Sequence, residues 1–244
     1  MSLSADPSLE AVTVAILAGG MGTRLRSVVS DRPKPLAEVA DRPFLAYQLD
    51  QLSAAGFRRV VLCTGYLGEQ VQRAFGPEYA GMQLAYSQEA VALGTAGAVR
   101  LALPLLHTQN VMVMNGDSYC DGDFPAFWQF HCDRQADASI LLAHVSETDR
   151  YGQVLLGADQ RVSAFREKAS SQGAGWINAG VYLVKHRLLE AIACDRAVSL
   201  EREIFPGWVG GQFYGQQCQA RILDIGTPAS YAQAASFLDR RKSA

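Results

Sequence analysis

The sequence predicts an α/β fold with a doubly wound, mainly parallel sheet and a partly antiparallel extension. Up to Asp117, short apolar runs rich in β-branched residues alternate with segments of helical periodicity, which is the order of elements in such a sheet. The first apolar run breaks into a glycine-rich loop, as expected of a strand whose carboxyl end faces a ligand crevice. Beyond Asp117 the apolar runs are shorter and closer together, which indicates antiparallel strands.

The first half of the chain is predicted as follows. Residues 12–18 form a short β-branched apolar run that ends in glycines, which predicts a strand buried on both faces. Apolar residues recur at helical spacing over residues 42–56, and Gly56 is expected to end that helix. The same alternation then predicts strands at 58–65, 82–88 and 110–117, and helices at 67–76 and 94–103.

The second half is less regular. A helix is predicted at 124–134 and strands at 136–145, 153–157, 161–168 and 177–185. The remaining predicted elements are helices at 186–194, 199–205 and 230–241, with a strand at 220–226. We see no repeat, low-complexity tract or linker, so residues 11–244 are expected to form one domain after a disordered or vector-derived lead over residues 1–10.

Composition excludes several classes of protein. The net charge of -2 and the charged fraction of 19% give no broad basic surface, so nucleic acid and anionic membranes are not expected partners. Five scattered cysteines and four histidines without metal-binding spacing argue against a disulfide framework or a zinc site. With no secretory signal pattern and no apolar run of about 20 residues, a soluble cytoplasmic protein is expected.

The loop after the first strand has the features of a phosphate site. Gly19, Gly20 and Gly22 remove side chains where a backbone must approach a ligand closely. Glycines alone would equally suit a tight turn. The nearby cations Arg24 and Lys34 favour the phosphate interpretation, since successive amides and cations can face phosphate oxygens together.

Two familiar phosphate motifs are excluded by spacing. A P-loop requires GxxxxGK followed by Ser or Thr, and a dinucleotide fingerprint requires GxGxxG with a later acidic residue. The stretch GMGTRL fits neither. Lys34 lies between Pro33 and Pro35, which restrict the backbone and therefore the reach of the ammonium group. The sequence thus predicts a polyphosphate loop of a different kind.

Two aspartates end predicted strands. Asp117 closes VMVMNGD and Asp224 lies in RILDIG, and the carboxyl ends of strands face the ligand crevice of such a sheet. Either alone could cap a turn. Together with a triphosphate loop they indicate magnesium, which is held by one or two carboxylates plus phosphate oxygens. The hard oxygen ligands and the absence of a histidine cluster agree, and manganese could substitute.

The stretch LAGGMGTRL, followed by RPKP, resembles the signature of the sugar-phosphate nucleotidyltransferases, which make nucleoside-diphosphate sugars. The resemblance extends from residue 12 to about residue 235 and implies the Rossmann-like sheet of that family with a sugar-binding extension. It implies that Arg24 stabilises the departing pyrophosphate, that Lys34 contacts the reacting phosphates, and that Asp117 and Asp224 bind the metal. The nucleotide loop implied by the resemblance comprises Leu17, Ala18, Gly19, Gly20, Gly22, Thr23 and Arg24.

Residues 86–100 resemble the base-reading segment of this family, with Gly94 and Thr95 near the nucleotide and Glu89 facing the base. A carboxylate can accept two hydrogen bonds, and guanine offers paired donors at N1 and N2. Glu89 therefore favours GTP. The adjacent Gln88 or backbone groups could read the base instead, and Glu89 could be a solvated charge at a strand end.

The later segments FREK and WINAGVYLV resemble the two sugar-phosphate segments of the family. The resemblance implies that Glu167 and Asn178 bind sugar hydroxyls, that Lys168 binds the sugar phosphate, and that the chain passes close to the sugar at Gly152. LRSVVSDRPKP, GWINAGVYLV and SLEREIFP most resemble the subgroup of D-glycero-D-manno-heptose 1-phosphate guanylyltransferases.

The reaction implied is attack of a sugar 1-phosphate oxygen on the α-phosphorus of GTP. A phosphate monoester is largely dianionic at neutral pH, so no general base is required. The expected catalytic residues are Arg24, Lys34, Asp117, Lys168 and Asp224. Alternatives are mannose 1-phosphate with GTP, N-acetylmuramate 1-phosphate with UTP, or a non-catalytic regulatory protein on the same fold. The expected partners are the two small-molecule substrates and, in an oligomer, further copies of the chain.

Overall fold

The computed structural model describes residues 8–20, 22, 24–25, 27–29, 31–148, 152–166 and 173–239. Its strands are β1 (Val12–Ala18), β2 (Glu38–Val39), β3 (Arg42–Pro43), β4 (Arg59–Thr64), β5 (Glu78–Tyr79), β6 (Met82–Gln88), β7 (Asn110–Asn115), β8 (Ser118–Cys120), β9 (Ala138–Val145), β10 (Gln153–Leu156), β11 (Val162–Arg166), β12 (Gly175–Lys185), β13 (Phe213–Cys218) and β14 (Ile222–Asp224).

The α-helices are α1 (Phe44–Ala55), α2 (Gly68–Phe75), α3 (Gly94–Ala102), α4 (Phe124–Asp133), α5 (His186–Glu190), α6 (Phe205–Trp208), α7 (Pro228–Ala232) and α8 (Ala234–Asp239). A π-helix spans Leu200–Ile204, and 3-10 helices span Leu9–Ala11, Lys34–Leu36 and Leu103–Leu105. Of the predicted lead, residues 1–7 lie outside the described residues, whereas Leu9 packs in the core.

The main sheet has the strand order β11-β10-β12-β7-β1-β4-β6-β5, with β9 paired to β12 and β13 paired to β9. Its centre is parallel, because β1 pairs in parallel with both β4 and β7, and β4 with β6. Strand β12 runs antiparallel to β7 and begins the extension, in which β10 and β11 are also antiparallel. The predicted parallel sheet with a partly antiparallel extension is confirmed.

Strand β1 is covered on both faces, as its continuous apolar run predicts. Ile16 packs in one core cluster with Leu49 of α1, whereas Ala15 packs in a second cluster with Val99 of α3. A third cluster joins the small β8–β14 sheet to the loop after β1 and to α8. The loop that follows β1 is thereby anchored between the main sheet and the carboxyl-terminal helices.

Several elements differ from the sequence prediction. The predicted helix at 199–205 is a π-helix followed by α6, and the predicted helix at 230–241 is divided into α7 and α8. Strand β13 was not predicted, because Gly215 and two glutamines interrupt its apolar pattern. Gly215 is closely packed, since a Cβ there would lie 2.6 Å from Leu156 Cδ2, which would have to move. Long-range packing therefore made a strand where the local pattern was weak.

Candidate active site

A cavity of about 460 Å³ lies at the carboxyl ends of β1 and β7. Among the predicted site residues, it is lined by Leu17, Ala18, Gly19, Gly20, Gly22, Lys34, Glu89, Gly94, Thr95 and Asp117. It is also lined by Pro35, Ala92, Ala98, Asn115 and Gly116, none of which was predicted as a ligand-binding residue. The place in the sheet is the one that the parallel topology predicts for a ligand crevice.

The conformation of the glycine loop depends on the residues that are packed against it. A Cβ at Gly19 would lie 2.8 Å from Glu89 Oε1 and 3.2 Å from the backbone nitrogen of Gly65. Gly22 has a φ of +58°, a left-handed conformation that glycine adopts without strain. A Cβ at Gly20 would meet nothing within 4 Å. Gly19 therefore gives Glu89 its close approach to the loop, and Gly20 leaves backbone open to the cavity.

Glu89 is held at the cavity wall by backbone groups. Its Oε2 accepts a hydrogen bond of 2.9 Å from Leu93 N, and its own amide donates to Thr64 O at 2.9 Å. Partial burial raises the pKa of the carboxyl, while the Leu93 amide lowers it. The neighbouring Gln88 is exposed and does not line the cavity; its amide carbon lies near Gly68, at the start of α2. Of the two side chains, Glu89 is the one that lines the cavity.

Strand pairing brings the two aspartates together. Strands β8 and β14 run antiparallel, with Asp224 opposite Ser118, the residue after Asp117. The amide of Ile225 donates to Asp117 O at 2.9 Å. The two carboxylates therefore occupy adjoining positions at the end of β14 and just before β8.

Cations accompany these carboxylates. Lys34 Nζ lies 2.7 Å from Asp117 Oδ2. A Cβ at Gly226 would lie 2.6 Å from Asp224 Oδ1, 3.2 Å from Lys34 Nζ and 3.3 Å from an Arg24 guanidinium nitrogen. Arg24, Lys34 and Asp224 thus converge on Gly226, which directly follows ILDI in the sequence but was not among the predicted site residues. The absence of a side chain there leaves room for the charged groups to approach one another.

The donor set fits a hard divalent cation. Asp117 and Asp224 supply carboxylate oxygens, and Asp117 Oδ1 also accepts a bond of 3.2 Å from the Ser118 hydroxyl. Across the described residues, no group of three or more histidine, cysteine, aspartate or glutamate side chains could hold a metal ion. Two carboxylates suit magnesium, whose remaining ligands are waters and substrate phosphates, better than they suit a closed zinc site.

The amino terminus of α3 is tied to the π-helix. Thr95 Oγ1 donates to Glu201 Oε2 at 2.8 Å and accepts from Leu200 N at 2.8 Å. Gly94 has a φ of +73°, and a Cβ there would lie 2.5 Å from Val198 O. The stretch SLEREIFP is predicted to be helical and resembles a segment of the family, but no local pattern in it predicts this contact with Thr95. A π-turn at this place is a signal of function, since such turns are frequent at functional sites.

Asn178 forms part of a bulge in β12. The register with β9 shifts between Asn178 and Tyr182. Asn178 donates to Tyr182 Oη at 2.8 Å and accepts from Gly180 N at 2.8 Å. Burial raises the pKa of Tyr182. Bulges of this kind re-aim side chains next to active sites, and this one brings Gly180 against Asn115 of the cavity wall, since a Cβ at Gly180 would lie 2.9 Å from Asn115 Nδ2.

The other predicted residues are placed as follows. Thr23, Glu167 and Lys168 lie outside the described residues. Gly152 precedes β10, and a Cβ there would lie 3.3 Å from Arg166 O, at the end of β11. Arg24 is exposed and reaches toward Gly226. Of the predicted sugar residues that the structure describes, neither Gly152 nor Asn178 lines the cavity.

Comparison with known proteins gives consistent matches. The family model described as Nucleotidyl transferase matches residues 13–241. A D-glycero-alpha-D-manno-heptose 1-phosphate guanylyltransferase of Aneurinibacillus thermoaerophilus is 37% identical over 90% of this chain and 95% of its own length. A mannose-1-phosphate guanylyltransferase catalytic subunit beta of Drosophila melanogaster is 36% identical over 88% of this chain, which spans 60% of that protein.

Solved structures agree with these matches. HddC from Yersinia pseudotuberculosis, complexed with GMP-PN, has a TM-score of 0.82 and 31% identity, over 93% of this chain and 99% of that one. A putative glucose-1-phosphate thymidylyltransferase from Bacillus anthracis, with a TM-score of 0.81 and 22% identity over 93% of this chain and 94% of that one, shares the fold. In the part of the chain that the structure describes, none of the helices has the length and apolar character to cross a membrane.

Proposed function

Because the chain belongs to the nucleotidyl transferase family, we propose that it transfers GMP from GTP to a sugar 1-phosphate, giving a GDP-sugar and pyrophosphate. The observation that carries the proposal is the convergence of Arg24, Lys34 and Asp224 on Gly226, with Asp117 paired to Lys34. Cations and two carboxylates beside a glycine loop suit a triphosphate with its metal. We place the reaction in the cytoplasm, where nucleoside triphosphates are available.

The proposed step is a displacement at phosphorus. An oxygen of the sugar phosphate forms a bond to the α-phosphorus, and the bond from that phosphorus to the oxygen bridging to the β-phosphate breaks. The electron pair leaves with pyrophosphate. The attacking phosphate is largely dianionic at neutral pH, so the site need not remove a proton. What it must do is bring two anions together and neutralise the charge that develops.

Each charged residue of the site has a separate role in this proposed step. Arg24 neutralises the departing pyrophosphate, and Lys34, held at the cavity wall by Asp117 at 2.7 Å, faces the reacting phosphates. Asp117 and Asp224 would hold a magnesium ion, which when bound neutralises charge on the phosphate oxygens. Lys168, as the sequence resemblance implies, binds the attacking sugar phosphate.

Different residues are assigned to the recognition of the two substrates. Glu89 accepts hydrogen bonds from guanine N1 and N2, and is supported in that position by the Leu93 amide. Gly94 and Thr95 form the adjacent wall for the nucleotide. Glu167, Asn178 and the chain at Gly152 meet the sugar, as the resemblance implies.

We favour D-glycero-α-D-manno-heptose 1-phosphate as the acceptor, because the heptose enzyme matches over 95% of its own length. Mannose 1-phosphate is the second candidate. It is supported by mannose-1-phosphate guanylyltransferases such as that of Mycobacterium tuberculosis, which is 34% identical over 94% of this chain and 65% of its own length.

The test is product identification. Purified protein is incubated with magnesium, a pool of nucleoside triphosphates and a panel of sugar 1-phosphates, and products are identified by mass. GDP-heptose is expected. GDP-mannose would correct the sugar, a UDP-sugar such as UDP-N-acetylmuramate would overturn the role of Glu89, and no product from folded protein would overturn the proposal in favour of a non-catalytic role.

A further inference from the structure

Helix α1 buries two glutamine side chains about one turn apart. Gln48 is 0% exposed and Gln51 is 6% exposed, although glutamine is mostly found at protein surfaces. Both lie on the face that also carries buried apolar residues of the helix. A buried amide is unfavourable unless it is hydrogen bonded. Among the described residues both Oε1 atoms are buried without a hydrogen-bond partner, so the bonds of the two Nε2 atoms indicate why these side chains are there.

Gln48 bonds to the turn that carries Asp117. Its Nε2 donates to Asn115 O at 2.8 Å and to Ser118 O at 2.7 Å. These carbonyls stand on either side of the two-residue turn Gly116–Asp117. Because both partners can only accept, the nitrogen of the amide must face them, and its two hydrogens match two acceptors. One side chain therefore bridges the two ends of the turn.

Backbone contacts hold the same turn from two other directions. Gly116 N donates to Leu17 O of β1 at 3.0 Å, and Asp117 O accepts from Ile225 N at 2.9 Å. A Cβ at Gly116 would lie 2.6 Å from Leu17 O, so the turn packs directly on β1. Gln48 supplies the side-chain contact from α1, and this contact can be removed without altering the backbone chemistry of the site.

We propose that Gln48 is a positioning residue, whose amide fixes the Asn115–Ser118 turn and thereby the direction in which Asp117 presents its carboxylate. The inference rests on the proposed function, because it deepens the role given to Asp117. Gln48 lies behind the turn and does not line the cavity, so it acts through Asp117. Loss of such an outer partner typically weakens metal affinity or activity by about 10- to 100-fold.

Gln51 is a matched control on the same helix. Its Nε2 donates to Cys120 O at 2.8 Å and lies 3.4 Å from Gly122 O, beyond the turn. Gln48→Met and Gln51→Met keep the side-chain length and each remove a buried amide from backbone carbonyls. Both variants are expected to lower the melting temperature to a similar degree, because each leaves buried carbonyls without a donor. Only Gln48→Met is expected to release Asp117.

The experiment compares full-length wild type and both variants by three measurements. These are thermal unfolding, manganese binding by electron paramagnetic resonance with a non-hydrolysable GTP analogue, and turnover as a function of magnesium concentration. For Gln48→Met we expect roughly tenfold weaker manganese binding, a similar rise in the magnesium concentration for half-activation, and faster hydrogen exchange at Gly116 and Ile225. For Gln51→Met we expect manganese binding and magnesium activation within about twofold of wild type.

Equal metal binding and equal magnesium dependence in the two variants would overturn the inference. If Gln48→Met does not fold, Gln48→Asn and Gln51→Asn take their places under the same criterion, since the shorter amide cannot span both carbonyls. A wild type without transferase activity would overturn the proposed function. The manganese and exchange measurements would still decide the role of Gln48, so the two failures are distinguishable.

Discussion

Lys34 keeps its ammonium 2.7 Å from the Asp117 carboxylate while only 10% of its side chain is exposed. A cation that is this little hydrated needs a partner, because burying an unpaired charge is strongly unfavourable. Asp117 is 40% exposed and remains open to the cavity. At this pair the residue types were predictable from RPKP and NGD in the sequence. The contact between Lys34 and Asp117 could not be predicted, because it depends on how the loop after β1 folds back.

Replacing Asp117 by asparagine should abolish most turnover. Asparagine keeps the shape and one oxygen for Lys34, but it removes the charge that would hold a divalent cation. We expect product formation to fall by roughly 100- to 1,000-fold, with a circular dichroism spectrum like that of wild type. The control is Asp121→Asn, because Asp121 pairs with Arg221 at the surface, at 2.9 Å. Wild-type turnover in Asp117→Asn with magnesium would refute the metal assignment.

Replacing Glu89 by glutamine should alter nucleotide choice. The amide oxygen can still accept from Leu93 N, so the loop is expected to keep its shape. Glutamine replaces one of the two acceptor oxygens by an NH2 donor, which would face a guanine N–H, so one charged hydrogen bond worth about 1.5–3 kcal/mol is lost. We expect kcat/KM for GTP to fall about tenfold or more while that for UTP does not fall. An unchanged ratio between the two nucleotides would contradict the role of Glu89.

At the scale of elements, the junction between α3 and the π-helix shows that the local sequence does not reveal why a glycine is present at position 94. Gly94 was predicted to lie close to a nucleotide, and it does line the cavity. The atoms nearest to its missing side chain are those of Val198. The glycine is therefore required by the contact between two elements, and Thr95 completes that contact through Glu201 and Leu200. Sequence alone could not separate these two requirements for glycine.

Gly94→Ala tests this junction. The φ of +73° and the 2.5 Å approach to Val198 O should lower the free energy of unfolding by about 1–3 kcal/mol, measured by urea denaturation. Gly207→Ala is the control, since a Cβ there meets nothing within 4 Å, and its stability should be unchanged or raised. If Gly94 served a ligand alone, Gly94→Ala would lose nucleotide binding without losing stability.

At the scale of the whole molecule, strand β7 joins two distinct environments. Asn115, at its carboxyl end, lines the cavity. At its amino end, Asn110 Oδ1 lies 3.2 Å from Nε2 of the buried His131, within hydrogen-bonding distance. His131 also bonds with Ser139 Oγ at 2.8 Å. Burial lowers the pKa of His131 to about 4, and the charge of Lys185 contributes. A site of proton-linked stability therefore lies at the opposite end of the sheet from the proposed chemistry.

Stability should fall as the pH falls from about 6.5 to 4. Over that range the unfolded chain binds a proton at this histidine and the folded chain does not, so the free energy of unfolding rises with pH. The difference between the ordinary value of 6.5 and about 4 corresponds to roughly 3 kcal/mol. Urea denaturation at several pH values measures the slope, and His131→Gln should reduce it. An equal slope in wild type and His131→Gln would contradict the assignment.

The sequence by itself determined the features that depend on neighbours along the chain. The β-branched run of β1, the glycine loop after it and the helix that ends at Gly56 could be predicted from their residues, and the resemblance implied the roles of Arg24, Lys34 and Asp117. These patterns are local, because a strand or helix is specified by the periodicity of the residues within it.

Only the tertiary structure decided which distant groups meet. The pairing of β8 with β14 places Asp224 beside Asp117. The packing of α1 brings Gln48 to the Asn115–Ser118 turn, which connects β7 of the main sheet to β8. Neither contact has a local pattern, because a buried amide or a short strand finds its partner through hydrogen bonds that form when the layers pack together. The residue types of the candidate site could therefore be predicted from the sequence, whereas the contacts that hold those residues together depend on the fold.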